Sequence, residues 1–545
     1  MRIPVAPSSE TKLLRLLTHP AFLALGPAVL VCFAQVHPLI APSHLPIYHF
    51  AGSAAPIFLT AIVNVAIVWV LLTALLLLAR KPGILQVAVW SGLVLMLPWL
   101  LMTEGRIVGE WKFAPWCSAI LFFVPLAAWI AVVCFWRQSF FPVFSRVYHA
   151  ARIVFGFAAL SAMVFMVQLF WCFWQARALN LPRPLRLQQP GVVGNASTTK
   201  PRVIWILLDE LSYQQVYERR FPGLDLPAFD SVARQATVFT HVIPAGVYTR
   251  MVLPALLTGD TVDNVRASAD GSQLSLHNPD TNQWRPFDPQ QTIFQDADDR
   301  GYRTAVAGWY NPYCRILPGV LDQCVWISGN SSFVGLENVK PDASLPSDVV
   351  ASWQGTVASA LDTLHKNSAP PPMDWNHIAD YRDLLAAGDR LLADPSLGFL
   401  LLHMPIPHPG GIYDRRTGAF GTPGTSYIDN LALADRYLDH VHRLLEQRGD
   451  WDSATIVIMG DHSWRTKLLW DGSPGWTAED EAASNGGQFD DRPAYIVKLP
   501  HQTQTARIDS PFAAVRTRAL LQQILDGKID SPAQLTAFAE LKSSQ

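Results

Sequence analysis

"VIWILLDELSY", residues 203–213, sets six apolar residues directly against a pair of acids, Asp209 and Glu210. A run without polar alternation fits a strand buried on both faces, as in a parallel sheet. Acids at the carboxyl end of such a strand face the crevice where open α/β sheets bind their ligands. Two later apolar runs stop in the same way. "LGFLLLHM" (397–404) reaches His403, and "ATIVIMG" (454–460) runs into Asp461-His462. Helical patterns lie between these strands. "DLPAFDSVARQATVF" (225–239) reads as a helix entering a second strand, and "TIFQDADDRGYRTAVAG" (292–308) as helix, glycine turn and strand. "YIDNLALADRYLDHVHRLLEQRG" (427–449) has apolar residues at helical spacing and a terminal glycine cap. Its acids Asp429, Asp435 and Asp439 read as a solvated face. Alternating strands and helices imply an α/β domain with a mostly parallel central sheet covered on both faces.

The chain before this domain has another character. Charged residues make up 16% of the 545 residues, against roughly 25% in soluble proteins, and the deficit lies in the first third. Stretches 20–36, 55–79, 83–102, 116–136 and 153–174 contain no Asp, Glu, Lys or Arg. Each approaches the roughly 20 apolar residues that cross a hydrocarbon core. The expectation is a five-helix transmembrane region over residues 1–178. Arg2, Lys12 and Arg15 precede the first stretch, and Arg80-Lys81 and Arg137, Arg146 and Arg152 fall in alternate loops. Basic loops stay inside. The N-terminus is therefore expected in the cytoplasm of an inner-membrane protein, with the later part periplasmic or extracellular. Residues 179–200, rich in Pro and small polar residues, read as a linker, and 201–545 as the extracytoplasmic domain. A net charge of −2 provides no field for nucleic acid. Of six cysteines, Cys314 and Cys324 close a short loop in "CRILPGVLDQC", a pair expected to be bridged in an oxidising compartment.

The acids, the histidines and a threonine turn, "GVYTRMVLPALLTG" (246–259), together resemble the sulfatase branch of the alkaline-phosphatase superfamily. "VIWILLDELSY" is similar to the family's opening strand, "GYRTAVAG" to its GY-x-T-x-x-x-G strand, "TIVIMGDHS" to its late Asp-His strand and "HMPIPHP" to its His-Pro pocket segment. The five apolar stretches ahead of the domain add a likeness to lipid A phosphoethanolamine transferases and lipoteichoic acid synthases. Two registers of the family select one residue. A sulfatase nucleophile lies nine residues before a Thr-Gly, here Thr258-Gly259, and a transferase threonine lies five before a proline, here Pro254. Both counts land on Thr249.

The resemblance implies that Asp209, Glu210, Thr249, Asp461 and His462 surround a divalent metal ion (Zn, Mn, Ca or Mg) and that Thr249 is the nucleophile. Arg250, His403 and His408 are expected to bind substrate. The implied reaction moves a phospho-substituent between lipid-linked or glycan phosphoesters beside membrane lipid. Hydrolysis of phosphate or sulfate esters, or a non-catalytic relative, remain alternatives. Several positions depart from the pattern. Threonine at 249 rules out the formylglycine of true sulfatases. Met251 and Leu253 replace the motif's Pro and Arg, Trp309 and Asn311 its Lys and His. No histidine lies between His462 and His501.

Overall fold

The computed structural model describes residues 17–41, 54–108, 120, 123–131, 137–177, 200–269, 271–327, 343–365, 375–473 and 475–541. Residues 179–199 of the expected linker and most of stretch 116–136 lie outside these. The chain forms two compact units. One is drawn from Met1–Ile47, Gly52–Leu179 and Ser332–Leu364, the other from Tyr48–Ala51, Asn180–Ser331 and His365–Gln545.

The described helices at the start of the first unit are α1 (Pro20–Val31), α2 (Phe33–Ile40), α3 (Ala55–Leu78), α4 (Ile84–Val108) and α5 (Arg137–Arg177). α3 and the stretch Pro142–Arg177 of α5 are long and apolar enough to cross a membrane. α1 and α2 bend by 78° and count as a third crossing only if they act as one broken span. Among the described residues two or three helices are thus candidate spans by length and composition, and the expected count of five is not confirmed. The apolar part of α4, Ile84–Pro98, is too short on its own. This unit also holds the helix Leu345–His365, although residues 201–545 read from the sequence as one soluble domain.

The second unit is built on an eight-stranded sheet of β1 (Val203–Asp209), β2 (Thr237–Phe239), β3 (Thr304–Trp309), β4 (Gln323–Ile327), β5 (Phe399–Pro407), β6 (Thr455–Gly460), β7 (Tyr495–Lys498) and β8 (Ala506–Ile508). Across the sheet the order is β8-β2-β7-β6-β1-β5-β3-β4. Only β7 runs against its neighbours, so the sheet is mostly parallel, as the sequence implies. β1 lies at its centre and is buried along its whole length. Alternate residues of β1 enter opposite layers. Ile204, Ile206 and Leu208 pack with the side that contains α7 (Trp375–Ala393) and α8 (Tyr427–Arg448). Val203, Trp205 and Leu207 pack with the side that contains α6 (Thr249–Thr258). Apolar residues on both faces are what an uninterrupted hydrophobic strand requires.

Helix α8 starts with a reciprocal cap between Ser426 and Asp429 and stops at Gly449, whose φ of 72° costs a glycine little. Its acids correct the sequence reading. Asp429 and Asp435 are buried. Asp429 also pairs with Arg415 at 2.6 Å, and Asp435 accepts the Phe229 N–H at 2.9 Å. The helix is wrapped on more sides than a two-sided pattern predicts.

Candidate active site

β1 and β6 are adjacent and parallel, with Leu208 opposite Gly460. Their carboxyl ends therefore deliver Asp209-Glu210 and Asp461-His462 to the same place. Gly460 permits the approach, because a Cβ there would lie 2.6 Å from the Leu211 carbonyl oxygen and 3.0 Å from that of His462. Asp461 then fastens the two turns together. Its Oδ1 accepts the Glu210 N–H at 3.0 Å and the His462 N–H at 2.8 Å. Glu210 holds a φ of 65°, uncommon outside glycine, and that torsion turns its side chain out of the strand's alternation.

Thr249 is the first residue of α6 and is buried. Its Oγ1 stands 3.2 Å from His462 Nε2. The other nitrogen of that ring, Nδ1, lies 3.1 Å from the Ser463 carbonyl, which can only accept, so Nδ1 carries the proton and Nε2 a lone pair. Burial, followed by the charge of Arg465, pulls the His462 pKa down to about 3, and the ring is neutral. Thr249 sits where the helix N-terminus presents unpaired N–H groups, a favourable place for a phosphoryl group.

Three carboxylates crowd this pocket. Burial pushes Asp209 well above the ordinary carboxylate range, reinforced by Asp461 and Glu210, and burial also raises Asp461. Glu210 is fully buried and already engaged. It accepts the Arg465 N–H at 3.0 Å, the guanidinium Nε at 2.8 Å and Nη2 as well, and the Trp470 indole N–H at 2.9 Å. By contrast Asp209 Oδ1 and Asp461 Oδ2 are buried without a donor of Glu210's kind, and the Thr249 hydroxyl acts on the two carboxyls as a hydrogen-bonding side chain. One arginine beside three carboxylates leaves a deficit of positive charge.

These atoms fit a divalent cation. Asp209, Asp461 and His462 offer ligand atoms within 4.8 Å of one another, as do Asp209, Glu210 and His408. Carboxylate oxygens with one imidazole suit Zn²⁺ or Mn²⁺.

The remaining residues singled out in the sequence surround this centre. His403 lies inside β5, which continues to Pro407 instead of stopping at the histidine. It is fully buried, and Tyr313 OH is 2.8 Å from its Nδ1. Burial lowers its pKa to about 4. Tyr313 reaches it across Gly308, where a Cβ would lie 2.2 Å from the Tyr313 ring. His408 is pushed well below its usual pKa by burial and then by His377 and Arg465. Its Nδ1 is held by the Pro409 carbonyl at 2.8 Å, and its Nε2 lies 4.0 Å from Glu210 Oε1. Trp309, His377 and Trp470 enclose the ring, with centroids 5.1–5.7 Å away. Arg250 stacks on Tyr248 at 4.9 Å and acts electrostatically on Tyr310. Cys314 and Cys324 form a disulfide.

Arg465, which binds Glu210, lies outside every family motif quoted above. Trp470 and Tyr313 carry no motif of their own.

The description "Sulfatase" fits residues 201–494 of this chain. The chain belongs to the sulfatase family. The match covers β1 through the turn into β7 and so includes every residue of the site above. This sulfatase-family protein thereby falls in the alkaline-phosphatase superfamily, whose enzymes act on sulfate or phosphate esters. No curated protein matches its sequence. Similar solved structures include the phosphonate monoester hydrolase of Agrobacterium radiobacter, at 14% identity over 60% of this chain and 74% of that one, TM-score 0.35. The lipoteichoic acid synthase LtaP from Listeria monocytogenes aligns at 12% identity over 60% and 72%, TM-score 0.35. Murine ectonucleotide pyrophosphatase/phosphodiesterase 5 aligns at 9% identity over 62% and 99%, TM-score 0.34. Likenesses this distant assign no reaction.

Proposed function

We propose that this sulfatase-family protein is a metal-dependent, membrane-bound transferase that moves a phospho-substituent between envelope lipids or glycans through Thr249. The observation that carries the reading is the buried contact of Thr249 Oγ1 with His462 Nε2 beside the buried carboxyls of Asp209 and Asp461, on both of which the hydroxyl also acts. The donor and acceptor are lipid-linked or glycan phosphoesters. The catalytic domain (201–545, apart from the helix Leu345–His365 of the first unit) stands outside an inner membrane crossed by the first 178 residues, with the N-terminus in the cytoplasm and 179–200 as the linker.

Asp209, Asp461 and His462 would hold the cation, and Glu210 and Thr249 would complete the set of residues around it. When bound, the metal lowers the hydroxyl pKa of Thr249 and offsets charge on the transferred group. Thr249 Oγ1 forms its bond to phosphorus as the bond to the leaving oxygen breaks, and the hydroxyl proton ends on that oxygen. The α6 N-terminus and Arg250 stabilise the phosphoryl oxygens. An acceptor alcohol then bonds to phosphorus as the bond from phosphorus to Thr249 Oγ1 breaks, and the acceptor's proton, carried by way of His408, ends on Oγ1. His408 suits this second step. Its Nδ1 proton is tied to Pro409, so Nε2 can take the acceptor's proton but in the neutral ring has none to give. His403, enclosed in β5, shapes the pocket floor.

The test uses the full chain in detergent, incubated with phosphatidylethanolamine and phosphatidylglycerol vesicles. Elemental analysis is expected to find one divalent metal per chain. Mass spectrometry is expected to find a phospho-substituent on Thr249 that Thr249→Ala lacks. Metal with an unmodified Thr249 would favour a hydrolase, and absence of both would refute the reading.

A further inference from the structure

The helix Leu345–His365 is inverted relative to a helix in water. Asp348, Ser352 and Thr356 follow at four-residue steps and share one face. Asp348 and Ser352 are buried at 2% and 0% exposure, while Val350 and Val357 on the opposite face, beside exposed Ser347 and Gln354, are 56% and 53% exposed. A helix at a protein–water boundary turns its apolar stripe inward and its polar side out.

The buried face is held by a polar network inside the first unit. Asn64 in α3 donates to Ser352 Oγ at 2.9 Å and to Gln35 Oε1 at 2.8 Å. Gln35 in α2 donates to Thr356 Oγ1 at 2.8 Å. Asn64 and Gln35 are fully buried in stretches without a charged residue. Polar residues inside a membrane bundle face other helices and bond across them. Apolar residues of the candidate spans are exposed to the same degree, Val70, Leu78 and Val167 at 57%, 68% and 70%. Docking to another protein in water would not account for a polar side packed inward.

We propose that the Val350–Val357 face of this helix lies against the acyl chains of the bilayer. The helix is not apolar enough to cross, so it sits in lipid by one face and belongs with the membrane helices. This does not depend on the reaction proposed for Thr249.

The experiment places nitroxide labels at Val350→Cys or Val357→Cys in the full chain, reconstituted in phosphatidylethanolamine and phosphatidylglycerol bilayers. Cys32, Cys117, Cys134 and Cys172 are replaced by alanine. Collision rates with oxygen and with a water-soluble nickel chelate are then compared with those of Val70→Cys in α3 and Glu446→Cys on α8. Both valine positions are exposed and tolerate the label. The expected result is an oxygen rate several-fold above the nickel rate, matching Val70. Nickel access like that of Glu446 would overturn the proposal in favour of water. Low access to both reagents would overturn it in favour of a protein cover such as a second copy.

Discussion

Replacing Arg465 with methionine removes the one cation bound to Glu210 and leaves a fully buried carboxylate. At an effective dielectric of ~20, charges at the Nε–Oε1 distance of 2.8 Å attract by about 6 kcal/mol. The backbone N–H of residue 465 and the Trp470 indole still donate to Glu210 in the variant and offset part of that loss. Breaking a buried pair by removing one partner costs about 3–5 kcal/mol. For a domain of this size that corresponds to a melting shift of roughly 4–7 °C. Adding Glu210→Gln removes the stranded charge, and the double variant is expected to recover at least half the loss. Tryptophan fluorescence during thermal unfolding of the full chain in detergent, with chelator present, provides the three values of the cycle. A loss below about 1 kcal/mol for Arg465→Met, or no recovery in the double variant, would refute the assignment of Glu210 to Arg465. Glu210 would then be neutralised by other means, such as the cation.

Burial raises the Asp435 pKa from 3.8 to about 6. Its protonated form is favoured in the folded state, so the stabilisation is complete below about pH 4 and lost as pH rises through about 6. Asp435→Asn is expected to melt higher than wild type at pH 7.5 by up to about 3 kcal/mol, with the gap closing by pH 4–5; a pH-independent gap in thermal unfolding contradicts this. Gly460→Ala forces a methyl group onto the Leu211 carbonyl and parts the two strand ends. Its expected cost is about 1–3 kcal/mol, together with reduced metal content by elemental analysis; unchanged metal content would show that the strand ends tolerate separation. Cys314→Ala/Cys324→Ala opens a loop with a sequence separation of 10, expected to cost about 3 kcal/mol in the chain-entropy account. Unfolding with and without reductant tests this, since only wild type should respond.

The strand ends were legible because their signal is local. An apolar run followed by an acid or Asp-His places those residues at the sheet's carboxyl edge in any parallel arrangement, while Thr249 was singled out by the family resemblance, through the registers counted to Thr258 and Pro254. The sheet's mostly parallel character follows from the same unalternated runs. The partner of each charge was not legible. Glu210 reads as a metal ligand beside Asp209, and the sequence does not reveal that Arg465, 255 positions away, and Trp470 also bind it. Asp429 and Asp435 looked solvated because the two-sided pattern of α8 records only its strongest burial, and the contacts covering its acids come from Arg415 and Phe229. The helix Leu345–His365 shows the same limit most plainly. Its composition is ordinary for a soluble helix, and only the positions of Asn64 and Gln35 reveal that its polar side faces inward. A sequence states which residues bury easily on average, while the cost of burying a polar group depends on whether a partner lies within about 3 Å, and tertiary structure alone supplies that partner.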